Sequence, residues 1–365
     1  MSEERPRLAA DDAWMRRCLD LAVQARGRTA PNPMVGAVIV RDGQVLAEGW
    51  HHAPGQAHAE VDALQKLDGQ APGATMYVNL EPCCHHGRTP PCTDAILRSG
   101  VRRVVVGMVD PFHRVSGKGI EILRRAGVDV VVGVLEPACR ELNQGFVRAQ
   151  ESGRPAVWLK AGMSLDGRIA DAFGHSRWIT GPQARAAGHA LRDAADAVLI
   201  GSGTLLADDP ALTTRDLPGG RDALPVVLDT ELRCPADARV LTAGRRPLLL
   251  VAQDAPVRDL PADIQRIPRD PRGGLDLRAA LQVLLARGVH TVLIEGGGRV
   301  HGRFLADGLV DRVHLFVAPT VLGGGPGWVA GAPFPLADAP RLRLQSATPV
   351  GQDLHIELVP AGLEA

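Results

Sequence analysis

Short apolar runs alternate with amphipathic stretches along nearly the whole chain, and no other feature limits the fold as strongly. "RVVVGMV" (103–109) reads as a buried strand, "TMYVNL" (75–80) and "DVVVGV" (129–134) as further strands. "GAVIV" and "VLAEG" flank "RDGQ" (41–44), an Asp-Gly hairpin signal. In "DDAWMRRCLDLAVQARG", Trp14, Cys18, Leu21, Ala22 and Ala25 fall on one helical stripe closed by Gly27. Residues 58–67, 91–99 and 118–126 read as helices, the first with Val61, Leu64 and Leu67 inward. The order α-β-β-α-β-α-β-α-β over roughly the first 135 residues predicts one three-layer α/β unit.

The polar, Gly- and Pro-containing stretch "RAQESGRPAV" (148–157) reads as a domain junction. Beyond it the alternation restarts with "AVWLKAGMS", a helix opened by "TGP" (180–182), and the strands "DAVLIG", "PVVLDT" and "PLLLVA". "DLRAALQVLLARGV" (276–289) is a marked helix: Asp276 caps it, Leu277, Ala280, Leu281, Leu284 and Leu285 share a face, and Gly288 stops it. "TVLIEGGG" and "RVHLFVAP" follow as strands, with two more at the C-terminus. A chain of 365 residues suits two cores better than one, so the expected domains are 1–150 and 151–365.

Composition narrows the function classes. There are 41 basic and 41 acidic residues and only 3% aromatics, which disfavours both a duplex-binding stripe and a base-stacking surface. No apolar run approaches 18 residues, and "MSEERPRLAADDAW" lacks the apolar core of a secretory signal. Three of the six cysteines (18, 83, 84, 92, 139 and 234) crowd into ten residues, which suggests local metal binding rather than a disulfide framework. A cytoplasmic protein without nucleic-acid or membrane partners is expected.

The sharpest local pattern is "HAE" at 58–60 followed by "EPCCHHGRTPPC" at 81–92. His58, Cys83 and Cys92 supply three of the four tetrahedral ligands of Zn²⁺, leaving one position for water. Cys92 opens a predicted helix, whose N-terminal partial charge favours a thiolate. Glu60 stands two residues from His58, placed to carry protons rather than to ligate. A His/Cys/Cys site with such a Glu is the arrangement of zinc nucleobase deaminases. A closed structural site would need a fourth protein ligand, for which Cys84, His85 and His86 stand nearby, and would leave Glu60 without a role.

"PNPMVGAVIV" (31–40), "HAEVDAL" (58–64), "YVNLEPCCHHGRTPPC" (77–92) and "VSGKG" (115–119) together resemble the deaminase half of the bifunctional riboflavin-biosynthesis deaminase/reductase family. The eight-residue gap between Cys83 and Cys92 is that family's spacing and differs from the two-residue gap of other zinc deaminases. The resemblance implies a cytidine-deaminase-like domain with one Zn²⁺ and catalytic Glu60. It also implies a phosphoribosyl pyrimidine substrate touched by Asn32 and His51. His85, His86 and Arg88 are candidate partners for its phosphate or sugar. The family often reads Asp-Pro-Asn-Pro where this chain has "DPFH" (110–113), so Phe112 and His113 mark a departure; His113 is expected to be an exposed loop residue.

"IEGGG" (294–298) between a strand and a helix lets backbone N–H groups approach a phosphate, or simply makes a tight turn. With "LKAGMSLDGRIA" (159–170), "SRWITGP" (176–182), "LIGSGTLLADDPALTTR" (199–215) and "LIEGGGRVHGRF" (293–304), it resembles the reductase half of the same family. That half is similar to dihydrofolate reductase in fold and implies NADPH. By this resemblance Gly162, Trp178, Thr204, Asp208, Thr230, Gly297, Gly298, Arg299, Val300, His301, Gly302 and Arg303 fall on the cofactor. Ser176, Arg192, Leu212, Arg215 and Glu295 fall on the sugar phosphate, where Arg192 and Arg215 have the fork geometry for bidentate contact. On residue type alone Trp178 is a core aromatic. Asp208 and Glu295 are both available as proton donors, and the sequence does not choose between them. The family suggests homo-oligomers.

Overall fold

A computed structural model describes residues 4–86, 90–331 and 333–362. The chain divides into two compact units, one ending at Gly153 and one beginning at Arg154.

The first unit runs α1 (Glu4–Val23), β1 (Gly36–Arg41), β2 (Gln44–Trp50), α2 (Ala59–Gln65), β3 (Thr75–Leu80), α3 (Cys92–Ser99), β4 (Arg103–Met108), α4 (Lys118–Arg125), β5 (Asp129–Val132), α5 (Glu136–Leu142) and α6 (Gln144–Ser152). Its sheet has the order β2-β1-β3-β4-β5. The β1–β2 hairpin and the β1–β3 pair are antiparallel, while β3–β4 and β4–β5 are parallel. Strands β2, β3, β4 and β5 therefore all end at the same edge of the sheet.

Alternate residues of each strand feed two separate cores, as a pleated sheet covered on both faces requires. Ile39, Met76, Val78, Val104 and Val106 pack with Ala63 and Leu64 of α2, Ile96 of α3 and Leu123 of α4. Val38, Tyr77, Val105 and Met108 pack with Met15, Cys18 and Leu21 of α1 and with Cys139 and Val147 beyond β5. This is the three-layer arrangement. One reading changes: residues 148–152 are not junction but the end of α6, because Gly145, Val147 and Ala149 turn a buried face inward.

The second unit begins where Arg154 makes a bidentate pair with buried Asp311, at 2.6 and 2.9 Å; Asp311 also accepts the Val157 N–H at 2.8 Å. Its elements are β6 (Ala156–Ser164), α7 (Pro182–Ala194), β7 (Ala197–Gly201), α8 (Ser202–Asp208), β8 (Leu224–Leu228), α9 (Arg239–Thr242), β9 (Leu248–Ala252), β10 (Asp263–Ile267), α10 (Leu277–Ala286), β11 (Thr291–Ile294), α11 (Gly298–Ala306), β12 (Arg312–Ala318), β13 (Leu342–Val350) and β14 (Asp353–Pro360). The sheet order is β10-β9-β8-β7-β11-β6-β12-β14-β13. Every pair from β10 to β12 is parallel, and the C-terminal hairpin adds two antiparallel strands at one edge. Asp276 caps α10 as expected, accepting from the N–H groups of Arg278 and Ala279. Strand β10, "DIQRI", is polar enough to escape sequence reading. Among the described residues no helix is long and apolar enough to cross a membrane.

Close approach requires a glycine at position 36. A Cβ on Gly36 would lie 2.1 Å from the backbone oxygen of Cys18, where α1 crosses β1. Gly36→Ala is expected to destabilise the protein by about 1–3 kcal/mol or more, since backbone must move to admit the methyl group. Thermal melting with a lowered first transition checks this; an unchanged melt refutes the packing argument.

Candidate functional site

The edge at which β2, β3 and β4 end carries the first site. His51 and His58 follow β2, Cys83 follows β3, and Asp110 follows β4. His58 is the N-cap of α2 and Cys92 the first residue of α3. One ligand atom from each of His58, Cys83 and Cys92 lies within 4.8 Å of the others. His58 Nδ1 is 3.2 Å from Cys92 Sγ and 3.5 Å from Cys83 Sγ.

The donor chemistry fits a soft divalent cation. Two sulfurs and an imidazole nitrogen crowd together, and hydrogen bonds from Cys92 and His58 pull the Cys83 thiol well down. Hydrogen bonding to Cys83 and burial push Cys92 up. Only a central positive charge lets both sulfurs ionise at once. The helix N-terminus acts differently from expectation: the Cys92 N–H donates to Cys83 Sγ at 3.4 Å, so α3 stabilises the sulfur of Cys83 rather than its own. Cys84, His85 and His86 are not in the ligand group, which leaves it with three protein ligands.

Glu60 is 3% exposed and stands beside this group. Burial, then the charge on Cys83, push its carboxyl up to about 7; a bound cation acts in the opposite sense. Glu60, His58 and Cys83 line one cavity of about 460 Å³ together with Asn32, His51 and Phe112. Burial lowers the pKa of His51, so its ring is neutral. Its Nδ1–H donates to the Ala57 carbonyl at 3.0 Å, which leaves Nε2 to accept from the Asn32 amide, also at 3.0 Å. Asn32 and His51 are thus brought together at the metal group.

Two buried asparagines hold this wall in place. Asn143 makes both hydrogen bonds with the Met34 backbone, at 2.7 and 2.9 Å, and Asn79 bridges Met34 and Gly36 at 3.1 and 2.8 Å. Sequence reading missed both, since 109 residues separate Met34 from Asn143. It also passed over Glu81 inside the quoted motif. The buried Glu81 carboxylate accepts four N–H groups, from Asp110 (3.2 Å), Gly117 (2.8 Å), Gly119 (2.9 Å) and Ile120 (3.2 Å). It thereby ties the 110–120 loop to the turn that bears Cys83. A Cβ on Gly119 would lie 2.2 Å from the Pro82 oxygen, so the "SGKG" glycine is needed for this approach. Within the loop, Phe112 lines the cavity and packs edge-on against His85, whereas His113 is exposed. His86 is exposed, and Arg88 lies outside the described residues.

In the second unit the expected residues separate into three groups. Arg192 donates to both oxygens of Glu295, at 2.6 and 2.9 Å, and to the Thr213 carbonyl at 2.7 Å. Its fork meets a carboxylate in this structure. Burial alone would raise Glu295, but Arg192 and then Lys160 hold it down at about 2. Arg215 is exposed and its N–H donates to His189 Nδ1 at 3.3 Å, bringing it to the same cluster; Leu212 is buried beside it in the chain at φ 55°. Lys160, 3.7 Å from Glu295, was not singled out from the sequence.

Ser176 and Asp208 meet at 3.2 Å, and Arg177 donates to the Asp208 carbonyl at 2.6 Å. Trp178 is 66% exposed under the guanidinium of Arg185, so it is not a core aromatic. Gly162 on β6 faces Thr180. The Gly297 N–H donates to Thr204 Oγ1 at 2.9 Å, which joins the start of α11 to α8. Not all of 297–303 is presented outward. Gly298 and Gly302 admit the backbone of Gly327 and Ala330, Val300 packs on Gly201, and Arg303 donates to the Gly273 carbonyl at 2.6 Å. His301 is buried with its ring nitrogens on the carbonyls of Trp328 and Ile294. Arg299 is exposed, and Thr230 follows β8 with its carbonyl accepting from Ala252.

Comparison with known proteins covers both units. The family model for the cytidine and deoxycytidylate deaminase zinc-binding region matches residues 8–108, and that for the RibD C-terminal domain matches 155–356. The chain is similar to the riboflavin biosynthesis protein RibD of Aquifex aeolicus, with 42% identity over 315 residues, 86% of this chain and 88% of that one. It is 40% identical to the protein of that name from Escherichia coli over 368 residues, 96% of this chain and 100% of that one. The solved structure of Acinetobacter baumannii RibD is 38% identical with a TM-score of 0.88, covering 97% of this chain and 99% of that one. A Thermotoga maritima diaminohydroxyphosphoribosylaminopyrimidine deaminase/5-amino-6-(5-phosphoribosylamino)uracil reductase is 35% identical with a TM-score of 0.89, covering 97% and 100%.

Two substitutions test the geometry. Cys92→Ser is expected to lower bound zinc by about 10-fold or more, read by elemental analysis of the purified chain. Glu81→Gln replaces an acceptor oxygen by an NH₂ group facing N–H donors. It is expected to cost roughly 1–3 kcal/mol and to raise KM for deamination while zinc stays bound. Wild-type kinetics in that variant would mean that the loop needs no such tether.

Proposed function

The chain belongs to the RibD family of bifunctional riboflavin-biosynthesis enzymes, with a deaminase and a reductase unit, and from that premise we propose which reactions its own residues carry. The first unit hydrolytically deaminates 2,5-diamino-6-(5-phosphoribosylamino)pyrimidin-4-one using one Zn²⁺ held by His58, Cys83 and Cys92. The second reduces the ribosyl group of the resulting 5-amino-6-(5-phosphoribosylamino)uracil with NADPH. The observation that carries the reading is the ligand group's meeting with buried Glu60, where His58, Cys83 and Glu60 line one cavity with Asn32 and His51.

Zinc, when bound, supplies Lewis-acid activation of water at neutral pH. Glu60 takes one proton from the attacking water and passes it to the ring nitrogen, then takes the second from the added hydroxyl and passes it to the departing amine, so that water adds at the amine-bearing carbon and ammonia leaves. Burial raises its affinity for a proton, and a bound cation acts in the opposite sense. The neutral His51 ring, pinned by Ala57, fixes the Asn32 amide, and together they orient the pyrimidine against Glu60. The Glu81 tether holds the Phe112 wall on the opposite loop.

In the second unit, NADPH when bound would supply a hydride for C1 of the ribosyl group, whose C1–O4 ring bond opens while O4 takes a proton. The protein's task there is chiefly placement. Lys160, Arg192 and Arg215 gather around Glu295 and His189, a cationic setting that suits a phosphorylated acceptor. Arg192 acts by holding Glu295 ionised rather than by gripping phosphate itself.

A coupled assay on purified protein tests the reading: ammonia release first, and NADPH oxidation only once deamination has occurred. Glu60→Gln is expected to lower deamination by roughly 10²–10⁴-fold. Zinc should stay bound, and reduction of supplied aminouracil substrate should persist. Ammonia release from structured RNA alone, or full deamination by Glu60→Gln, would sink the proposal.

A further inference from the structure

The segment 176–181, expected to bring Ser176 to the sugar phosphate and Trp178 to the cofactor, is loop and turn rather than helix or strand. Its first end is tied to α8: Ser176 Oγ donates to Asp208 Oδ1 at 3.2 Å, and Arg177 donates to the Asp208 carbonyl at 2.6 Å. In the middle, Arg185 donates to the Thr180 carbonyl at 2.8 Å and lays its guanidinium 4.4 Å from the centre of the Trp178 ring. The second end runs into α7, and the first N–H groups of a helix need acceptors from outside it. Locally α7 has none. Gly181 is its N-cap and has no side chain to offer, and no acidic residue stands in the first turn.

The acceptor comes from the C-terminal hairpin, 172 residues away: the buried Asp353 carboxylate accepts the Gly181 N–H at 2.7 Å. Asp353 opens β14, directly after the turn that joins it to β13. Strand β14 runs antiparallel to β12, with Leu354 opposite Val317, and β12 runs parallel to β6, with Val317 opposite Met163. The β13–β14 turn therefore lies at the edge where β6 and β12 end. There it is docked on α7, since a Cβ on Gly351 would lie 2.7 Å from Gln183 Oε1. A carboxylate in that place also meets the positive end of the helix dipole. The loop is thus held from α8 at one end and from the hairpin at the other.

We propose that Asp353 is a positioning residue of the reductase: from the C-terminal hairpin it fixes Gly181, and through Gly181 the loop that presents Ser176 and Trp178. This rests on the nicotinamide-dependent reductase reading above. A loop held at both ends before a ligand arrives has little conformational freedom left to lose on binding. Removing the tether leaves the reacting groups in place and takes away binding, so it raises KM rather than lowering kcat.

The test uses the full chain with Asp353→Ala and Asp353→Asn, the second of which keeps an oxygen that accepts from Gly181. Amide hydrogen exchange over 176–185, which needs no ligand, is expected to quicken about 10-fold in Asp353→Ala and far less in Asp353→Asn. KM for NADPH, for the aminouracil substrate or for both is expected to rise about 10-fold in Asp353→Ala, with kcat moved less than about 3-fold. Asp353→Asn should recover most of that loss. Deamination by the same chains should be unchanged, which supplies a control for folding within each sample. Unchanged exchange, unchanged KM for both reductase ligands, or equal loss of deamination and reduction overturns the proposal. If the exchange result holds but the wild type oxidises no NADPH with substrate supplied directly, it is the reductase reading that fails, and the role of Asp353 in that reaction falls with it.

Discussion

Parallel strands deliver their turns to one edge of a sheet, and both units place their candidate chemistry there. In the first unit the β1 strand runs against both of its neighbours, so β2 points the same way as β3, β4 and β5. That hydrogen-bonded arrangement brings His51, Cys83 and Asp110 to the same edge from three distant parts of the chain. The two cores behind it, one on each face, fix the strand register and hence the spacing of the ligand atoms. A one-residue slip would turn every alternate side chain to the wrong face.

Carboxylates recur as organisers of backbone. Glu81 gathers four N–H groups and joins the loop of Phe112 to the turn of Cys83. Asp311 does the same at the start of the second unit, and Asp229 in the turn after β8. Buried charge is costly unless several donors meet it, so each such residue strongly specifies one conformation of its loop. The Arg192–Glu295 pair is the corresponding case between side chains.

Much of this was legible along the chain. His58, Glu60, Cys83 and Cys92 carry their chemistry in residue type and spacing, and the β/α alternation carries the layer structure. Three things were not legible. The polar strand β10 has no apolar pattern to report it. The exposure of Trp178 depends on packing that residue type does not encode. The clamp of Met34 by Asn143 spans 109 residues, a distance at which local pattern says nothing.

The sequence by itself determined most of the elements, the metal-binding residue types and the bifunctional resemblance, because these depend on local periodicity and on short spacings. Only the tertiary structure decided which charges are free and which are spent. It assigned the helix N–H of Cys92 to Cys83 and bound the fork of Arg192 to Glu295. It also set the Arg233 guanidinium on Ser202 Oγ and gave the nearby Glu231 to Arg269. Such partnerships are made across the fold, by groups that meet only when strands far apart in sequence end side by side.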